Sequence, residues 1–188
     1  GSQNDFEGYL TETAIQYLDK QYKSFKSEYN EQGVTNVGIL VKLIESTSAR
    51  IGINPHILLG LIKQESAFDP YATPGTTTAI GLGQITFGTA ADGGLKASSS
   101  VPKGSTKNRV SRSSVIAYKF EDDRFNPIKC IPGIGKILQS KGWVKGGSLK
   151  SLKEAIKNYF SATDPRRNQY FLDVLDKIKQ YFPNTNLR

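Results

Sequence analysis

The stretch Asn54-Pro55-His56-Ile57-Leu58-Leu59-Gly60-Leu61-Ile62-Lys63-Gln64-Glu65-Ser66-Ala67-Phe68-Asp69-Pro70 contains a helix with both of its ends written into it. Asn54 is an N-cap whose side chain can accept from the first free N–H groups, and Pro55 suits the first helical position because it has no N–H to leave unsatisfied. Pro70 cannot continue a helix and biases Asp69 away from helical backbone. The spacing therefore predicts a helix from Pro55 to near Ala67, with Leu58, Leu61, Ile62 and Glu65 on one face at three- and four-residue steps. A carboxylate ends an apolar stripe. Partly buried among aliphatic side chains, it would have its charged form disfavoured and could stay protonated near neutral pH, which is what a general acid needs. The spacing fits equally a helix-end glutamate turned to solvent.

Outward from this helix the apolar periodicity stays helical. On the N-terminal side, Phe6, Leu10, Ala14, Leu18, Tyr22, Phe25 and Tyr29 recur at three- and four-residue spacings, as one amphipathic helix over residues 6–29 would place them. A second helix is expected over residues 37–49 through Ile39, Leu40, Leu43 and Ile44, and further ones near residues 126–140, 148–160 and 165–181. Strand-like patterning is scarce, residues 76–80 being the one β-branched cluster of note. The expected class is mainly α.

The chain has 188 residues, 37% of them hydrophobic, enough for one domain with a full core, or a domain with a helical extension. Charge divides it. Residues 1–35 carry six acids against three lysines, whereas residues 36–188 carry 22 basic against 11 acidic side chains. Within the basic body, residues 93–114 hold Lys96, Lys103, Lys107, Arg109 and Arg112 with no acid, and their Ser and Gly content reads as a long, mobile cationic loop. Such a loop would suit nucleic acid, yet it has no interleaved aromatics for base stacking, and no nucleic-acid-binding motif accompanies it, so no nucleic acid is expected as a partner. A single cysteine, Cys130, excludes an intrachain disulfide and a Cys-based metal site, and a single histidine, His56, removes most His-dependent chemistry. Neither a metal nor another cofactor is expected. Cys130 reads as a small buried side chain and His56 as a capping or surface residue. No stretch approaches the ~18 consecutive apolar residues of a membrane span. Gly1-Ser2 and the absence of methionine read as an expression scar on an excised segment, with targeting information cut away.

After the helix the chain continues Glu65-Ser66-Ala67-Phe68-Asp69-Pro70, then Tyr71-Ala72-Thr73-Pro74, and then Gly81-Leu82-Gly83-Gln84. In this order and spacing it resembles the lysozyme-like lytic transglycosylases of the soluble (SLT) type, relatives of goose-type lysozymes, whose pattern is a helix ending in Glu-Ser, Asn/Asp-Pro-x-Ala-x-Ser, and a Gly-Leu-Met-Gln turn. Here Pro74 stands where the serine is expected, Gly83 replaces the usual Met, and one extra residue precedes the turn. Downstream, Ala155-Ile156-Lys157-Asn158-Tyr159-Phe160-Ser161 matches the family's Ala-Tyr-Asn-Ala-Gly-like motif, with Tyr159 at the tyrosine and Phe160 where Asn is usual, and a helix through Tyr170 and Phe171 fits the closing helix. The resemblance covers residues 36–182. It implies a lysozyme-like fold with a substrate cleft between helical lobes, preceded by an acidic helical extension at residues 1–35 that could contact a partner or a parent protein; residues 36–188 would form the transglycosylase domain.

The resemblance also implies a substrate and an address: peptidoglycan glycan strands, met outside the cytoplasm, with cleavage of the β-1,4 bond between N-acetylmuramic acid and N-acetylglucosamine. Glu65 would be the single acid and base, giving 1,6-anhydromuramyl ends. A hydrolytic muramidase would instead need a water held by a second carboxylate, for which Asp69 and Asp92 are available, and an inactive glycan-binding or assembly module would keep only the fold. Substrate-binding roles fall on Ser66, Thr73, Gly81, Leu82, Gly83, Gln84 and Tyr159. Ser66 and Thr73 would offer hydroxyls, with helix capping and turn hydrogen bonding as the other reading. The small turn residues would let backbone approach a sugar while Gln84 bonds it, the alternative being a bend that needs glycine. Tyr159 would help hold the acid and the sugar, or pack as a core aromatic with its hydroxyl bonded. Tyr71, Trp143 and Phe125 could line a sugar groove, with core packing the alternative for Phe125. An excess of positive charge would speed encounter with an anionic wall.

Overall fold

Residues 8–102 and 108–181 are described by a computed structural model. Phe6 of the expected first helix, Lys103 and Lys107 of the cationic stretch, and Gly1-Ser2 lie outside the described residues. Among those described, the chain forms α1 (Glu12–Ser24), α2 (Lys26–Glu31), α3 (Val37–Ile51), α4 (Pro55–Ser66), α5 (Arg112–Tyr118), α6 (Pro127–Ser140), α7 (Leu149–Phe160) and α8 (Arg167–Lys179). Extended pairing is confined to two isolated antiparallel bridges, Ala72 with Arg109 and Ile80 with Ile85. The mainly α class is as expected.

Helix α4 lies at the centre. Asn54 Oδ1 accepts from the His56 N–H at 2.9 Å, Pro55 opens the helix, and Pro55 to Ile62 are buried without interruption. Helices α8 and α3 flank it and α6 packs against α3, so that Leu40, Ile44, Leu58, Leu61, Ile62, Ile134, Val174 and Ile178 share one core. Burial of this kind contributes about 1.5–3 kcal/mol per large aliphatic side chain, which is what holds the helices together. A second, smaller cluster of Tyr71, Ile80, Val110, Val115 and Phe125 supports the irregular segment between α4 and α6. The site lies where these two bodies of packing meet.

Several expectations need correction. The single helix expected over residues 6–29 breaks at Phe25 (φ −120°, ψ 32°) into α1 and α2. Ser24 Oγ donates to the Lys20 carbonyl at 3.1 Å, a back-bond that competes with the helical ladder and bends it. The described part of the cationic stretch is irregular up to Ser111, but its last residues are helical. It ends in α5, capped by Ser111, and its described basic groups have partners: Lys96 Nζ donates to the Phe120 carbonyl at 2.9 Å, Arg109 pairs with Asp69 and Glu28, and Arg112 pairs with Glu31. Two acids of α2 therefore neutralise two arginines 81 residues away. His56 is not at the surface. Its ring is buried, with Nδ1 2.7 Å from Asn54 Oδ1 and Nε2 accepting from the Thr11 N–H at 3.0 Å, which ties the start of α1 to the start of α4. Cys130 is buried, as its apolar surroundings suggested.

Candidate active site

The apolar stripe of α4 delivers Glu65 to the last turn of the helix, where the carboxylate leaves the core and enters a groove. Leu58, Leu61 and Ile62 are fully buried beneath it, while Glu65 itself is only partly covered. Burial disfavours its charged form and lifts its pKa from the ordinary 4.5 to about 7. The Tyr170 hydroxyl on α8 donates to Glu65 Oε2 at 2.7 Å, which acts in the opposite sense and favours the carboxylate. A carboxyl balanced in this way is neutral often enough to give a proton at neutral pH, and it is a competent base once the proton has gone.

The turn that follows is held by side chains of the motif. Ser66 Oγ lies 3.1 Å from the Ile62 carbonyl and 2.8 Å from the Leu82 carbonyl, and accepts from the Phe68 N–H at 3.2 Å. One hydroxyl thus fastens the end of α4 to the glycine turn. Asp69 Oδ1 accepts from the Tyr71 N–H at 3.0 Å, and its carboxylate takes two bonds from Arg109, at 2.7 and 3.1 Å. Thr73 is buried, and its N–H donates to the Asn108 carbonyl at 2.9 Å.

Two glycines decide the shape of the second motif. Gly81 has φ +82°, and a Cβ there would fall 2.2 Å from the Arg124 carbonyl oxygen. Arg124 is itself buried; it bonds Asp122 and donates from Nη1 to the carbonyls of Thr78 and Ile85 at 2.7 and 2.9 Å, so the turn is built around a guanidinium. At Gly83 a Cβ would lie 2.5 Å from the Tyr159 hydroxyl and 2.7 Å from Ile134 Cγ1. The departure from Met at this position thus has a local cause: Tyr159 closes onto the backbone, its hydroxyl donating to the Gly83 carbonyl at 2.7 Å. Leu82 is buried in the main core. Gln84 holds φ 47° and donates from Nε2 to the carbonyls of Ala72 and Gly81 at 2.8 and 3.0 Å.

Glu65 is shared by two concavities. One, of about 440 Å³, runs between Pro74, Thr77 and Thr86 on one side and Lys141, Asn158 and Phe160 on the other. A second, of about 560 Å³, is bounded by Lys63, Ala67, Asp69, Thr73 and Asn108. Glu65, Pro74 and Gln84 line both, so the carboxylate sits mid-way along a continuous depression, as a residue acting inside a polymer must. Asp69 is the other carboxylate lining either hollow, and Arg109 holds it. Asp92 sits in a short 3-10 turn (Ala90–Gly93) and lines neither.

The structure brings Glu65, Ser66, Gly81, Leu82, Gly83, Gln84 and Tyr159 together around one turn, with Thr73 on the adjoining wall. It does not place Tyr71, Trp143 or Phe125 in the groove. All three are buried, Trp143 with Nε1 donating to the Ile51 carbonyl at 2.7 Å and Tyr71 edge-on to Phe125. The tyrosine that touches the carboxylate is Tyr170, whose ring stacks on Phe160 with centroids 5.0 Å apart, and the sequence reading gave Tyr170 no role. Its signal was its place on the closing helix, four residues before Val174 on the buried face of α8. No three His, Cys, Asp or Glu side chains gather as metal ligands among the described residues, and no helix described is long and apolar enough to cross a membrane.

Among known protein families, the model of the transglycosylase SLT domain aligns with residues 42–141. The chain belongs to the SLT transglycosylase family. Neither the curated proteins nor the solved structures give a significant match. Membership makes the helical architecture a lysozyme-like SLT fold, and it implies lytic transglycosylase activity on peptidoglycan, a substrate outside the cytoplasm. The aligned residues include Glu65, the glycine turn and all of α6. Helices α1 and α2, and both tyrosines Tyr159 and Tyr170, lie beyond them.

Proposed function

We propose that this SLT domain cleaves the β-1,4 bond between N-acetylmuramic acid and N-acetylglucosamine with Glu65 as its single acid and base, leaving 1,6-anhydromuramyl ends. The observation that carries the reading is Glu65 itself: a largely buried carboxyl with its pKa raised to about 7, shared by both hollows of the groove, while the other carboxylate there is bound to Arg109. In the first step Glu65 gives its proton to the glycosidic oxygen as the bond to the muramyl C1 breaks, and the substrate's own 2-acetamido oxygen relieves the positive charge at that carbon. In the second, the Glu65 carboxylate takes the proton of the muramyl C6 hydroxyl, whose oxygen closes onto C1. The acid is regenerated and no water is consumed. Tyr170 keeps Oε2 fixed through both steps, and Gln84, which lines both hollows beside Glu65, faces the sugar. In this reading residues 36–188 form the catalytic unit, and Ser66 and Tyr159 act by holding the turn.

Mass spectrometry of soluble fragments released from purified peptidoglycan tests this, with Glu65→Gln as control. Fragments lighter by one water than reducing-end muropeptides, absent with Glu65→Gln, are expected. Reducing muramyl ends would make the protein a hydrolase and Asp69 the residue to examine, and binding without release would make it an inactive glycan-binding module.

A further inference from the structure

Two consecutive residues directly after Glu65-Ser66 hold left-handed backbone, Ala67 at φ 50° and Phe68 at φ 65°. Neither is glycine, and left-handed backbone is unfavourable for both, so the turn keeps its shape only where other contacts hold it. Those contacts come from α1 and α2. Gln21 Nε2 donates to the Ala67 carbonyl at 2.7 Å, and the buried hydroxyl of Tyr29 donates to the Phe68 carbonyl at 2.7 Å. The Tyr17 ring meets the Phe68 ring edge-on at 5.8 Å. Beyond the turn, the Tyr71 hydroxyl donates to Glu31 Oε2 at 2.9 Å and accepts from Gln32 Nε2 at 3.2 Å, and Arg109 links Glu28 to Asp69. Every one of these α1 and α2 partners precedes residue 42, where the family match begins.

We propose that the N-terminal helical segment is a positioning element of the active site: Gln21 and Tyr29 hold the turn at Ala67 and Phe68, and through it they set how deeply Glu65 sits in the groove. The inference rests on Glu65 being the acid. Its mechanical route is short. The Phe68 N–H donates to Ser66 Oγ, and Ser66 Oγ reaches the Leu82 carbonyl, so releasing the Phe68 carbonyl loosens the last turn of α4 and its fastening to the glycine turn together. Tyr29 and Gln21 are positioning residues. They touch neither hollow of the groove. The titratable groups that face Glu65 are Tyr170 on α8 and Tyr159 on α7, and both variants described below leave them in place.

The test compares the unmodified chain with Tyr29→Phe and Gln21→Met. Carbon-13 titration of the Glu65 carboxyl, assigned by its loss in Glu65→Gln, is measured beside kcat and KM on soluble glycan fragments. With Tyr29→Phe the carboxyl is expected to titrate about half a pH unit or more lower, because a loosened turn admits water to it. Turnover should fall about tenfold with KM held within about twofold, the split expected when positioning and not binding is lost. Gln21→Met should shift both in the same direction by less; its side chain is at the surface, so it remains testable if Tyr29→Phe does not fold. An unchanged Glu65 titration in folded variants overturns the proposal. The titration needs no substrate, so a chain that releases no anhydro product but shows the shift would overturn the transglycosylase reading and uphold this one.

Discussion

The Tyr170 hydroxyl and the Glu65 carboxylate, 105 residues apart in sequence, meet at 2.7 Å, the one hydrogen bond to Glu65 from a side chain among the described residues. The bond favours the charged form against a burial that favours the neutral one, so the acid's strength is a compromise between α4 and α8. Replacing Tyr170 with Phe keeps the ring that stacks on Phe160 and removes only the donor. The Glu65 pKa is then expected to rise further, moving the basic limb of the pH–rate profile upward. Turnover on peptidoglycan fragments should drop about 10- to 100-fold, the scale of a lost hydrogen bond to a charged group.

Glu65 also makes stability depend on pH. Its folded pKa, about 7, exceeds its ordinary 4.5, so the folded state holds the proton more tightly; the contribution is full below pH 4.5 and is lost as pH rises through 7. The loss is on the order of 3 kcal/mol at most. Glu65→Gln removes this dependence. Melting curves at pH 5 and pH 8 should therefore show the variant gaining on the unmodified protein as pH rises, and an equal difference at both would count against the burial argument.

His56 has the opposite sign. Burial lowers its pKa from 6.5 to about 4, so the unfolded chain binds the proton first, and the stability present above pH 6.5 is lost as pH falls through 4. Protonation would also cost Nε2 its role as acceptor for the Thr11 N–H and so loosen the start of α1. Urea denaturation at pH 7 and pH 4.5 should show a fall that His56→Gln reduces, since glutamine keeps an acceptor without titrating.

Restoring the family's usual side chain at position 83 should do harm. Even Gly83→Ala places a Cβ 2.5 Å from the Tyr159 hydroxyl and 2.7 Å from Ile134 Cγ1, so the tyrosine must leave the Gly83 carbonyl. A destabilisation of about 2 kcal/mol or more is expected, and Gly83→Met should exceed it. Thermal melting measures both, and Tyr159→Phe in the Gly83→Ala background should recover part of the loss by removing the clashing oxygen.

Helix α4 and its acid were legible in the sequence because their signals are local. Asn54, Pro55 and Pro70 act on backbone groups within a few residues, and the stripe from Leu58 to Glu65 is a property of helical spacing alone. The same holds for the glycine turn, whose residues lie within four positions of one another. Local signals also misled. Beside Phe25 the one sequence signal is Ser24, too common a residue to mark a helix end by itself, and the serines before α5 read as loop although Ser111 caps a helix there.

What the chain determined by itself, then, is a mainly helical protein with a carboxylate at the end of an apolar stripe beside a glycine turn. Tertiary structure alone decided that Tyr170 and not Tyr159 hydrogen-bonds that carboxylate, that Arg109 and Arg112 are bound by Glu28 and Glu31, and that Tyr71, Trp143 and Phe125 are core. The physical reason is range. Capping, propensity and periodicity act over one or two helical turns, whereas the burial that raises the Glu65 pKa and the hydroxyl that opposes it come from the closing of α8 on α4, a contact between residues 105 positions apart that no local pattern encodes.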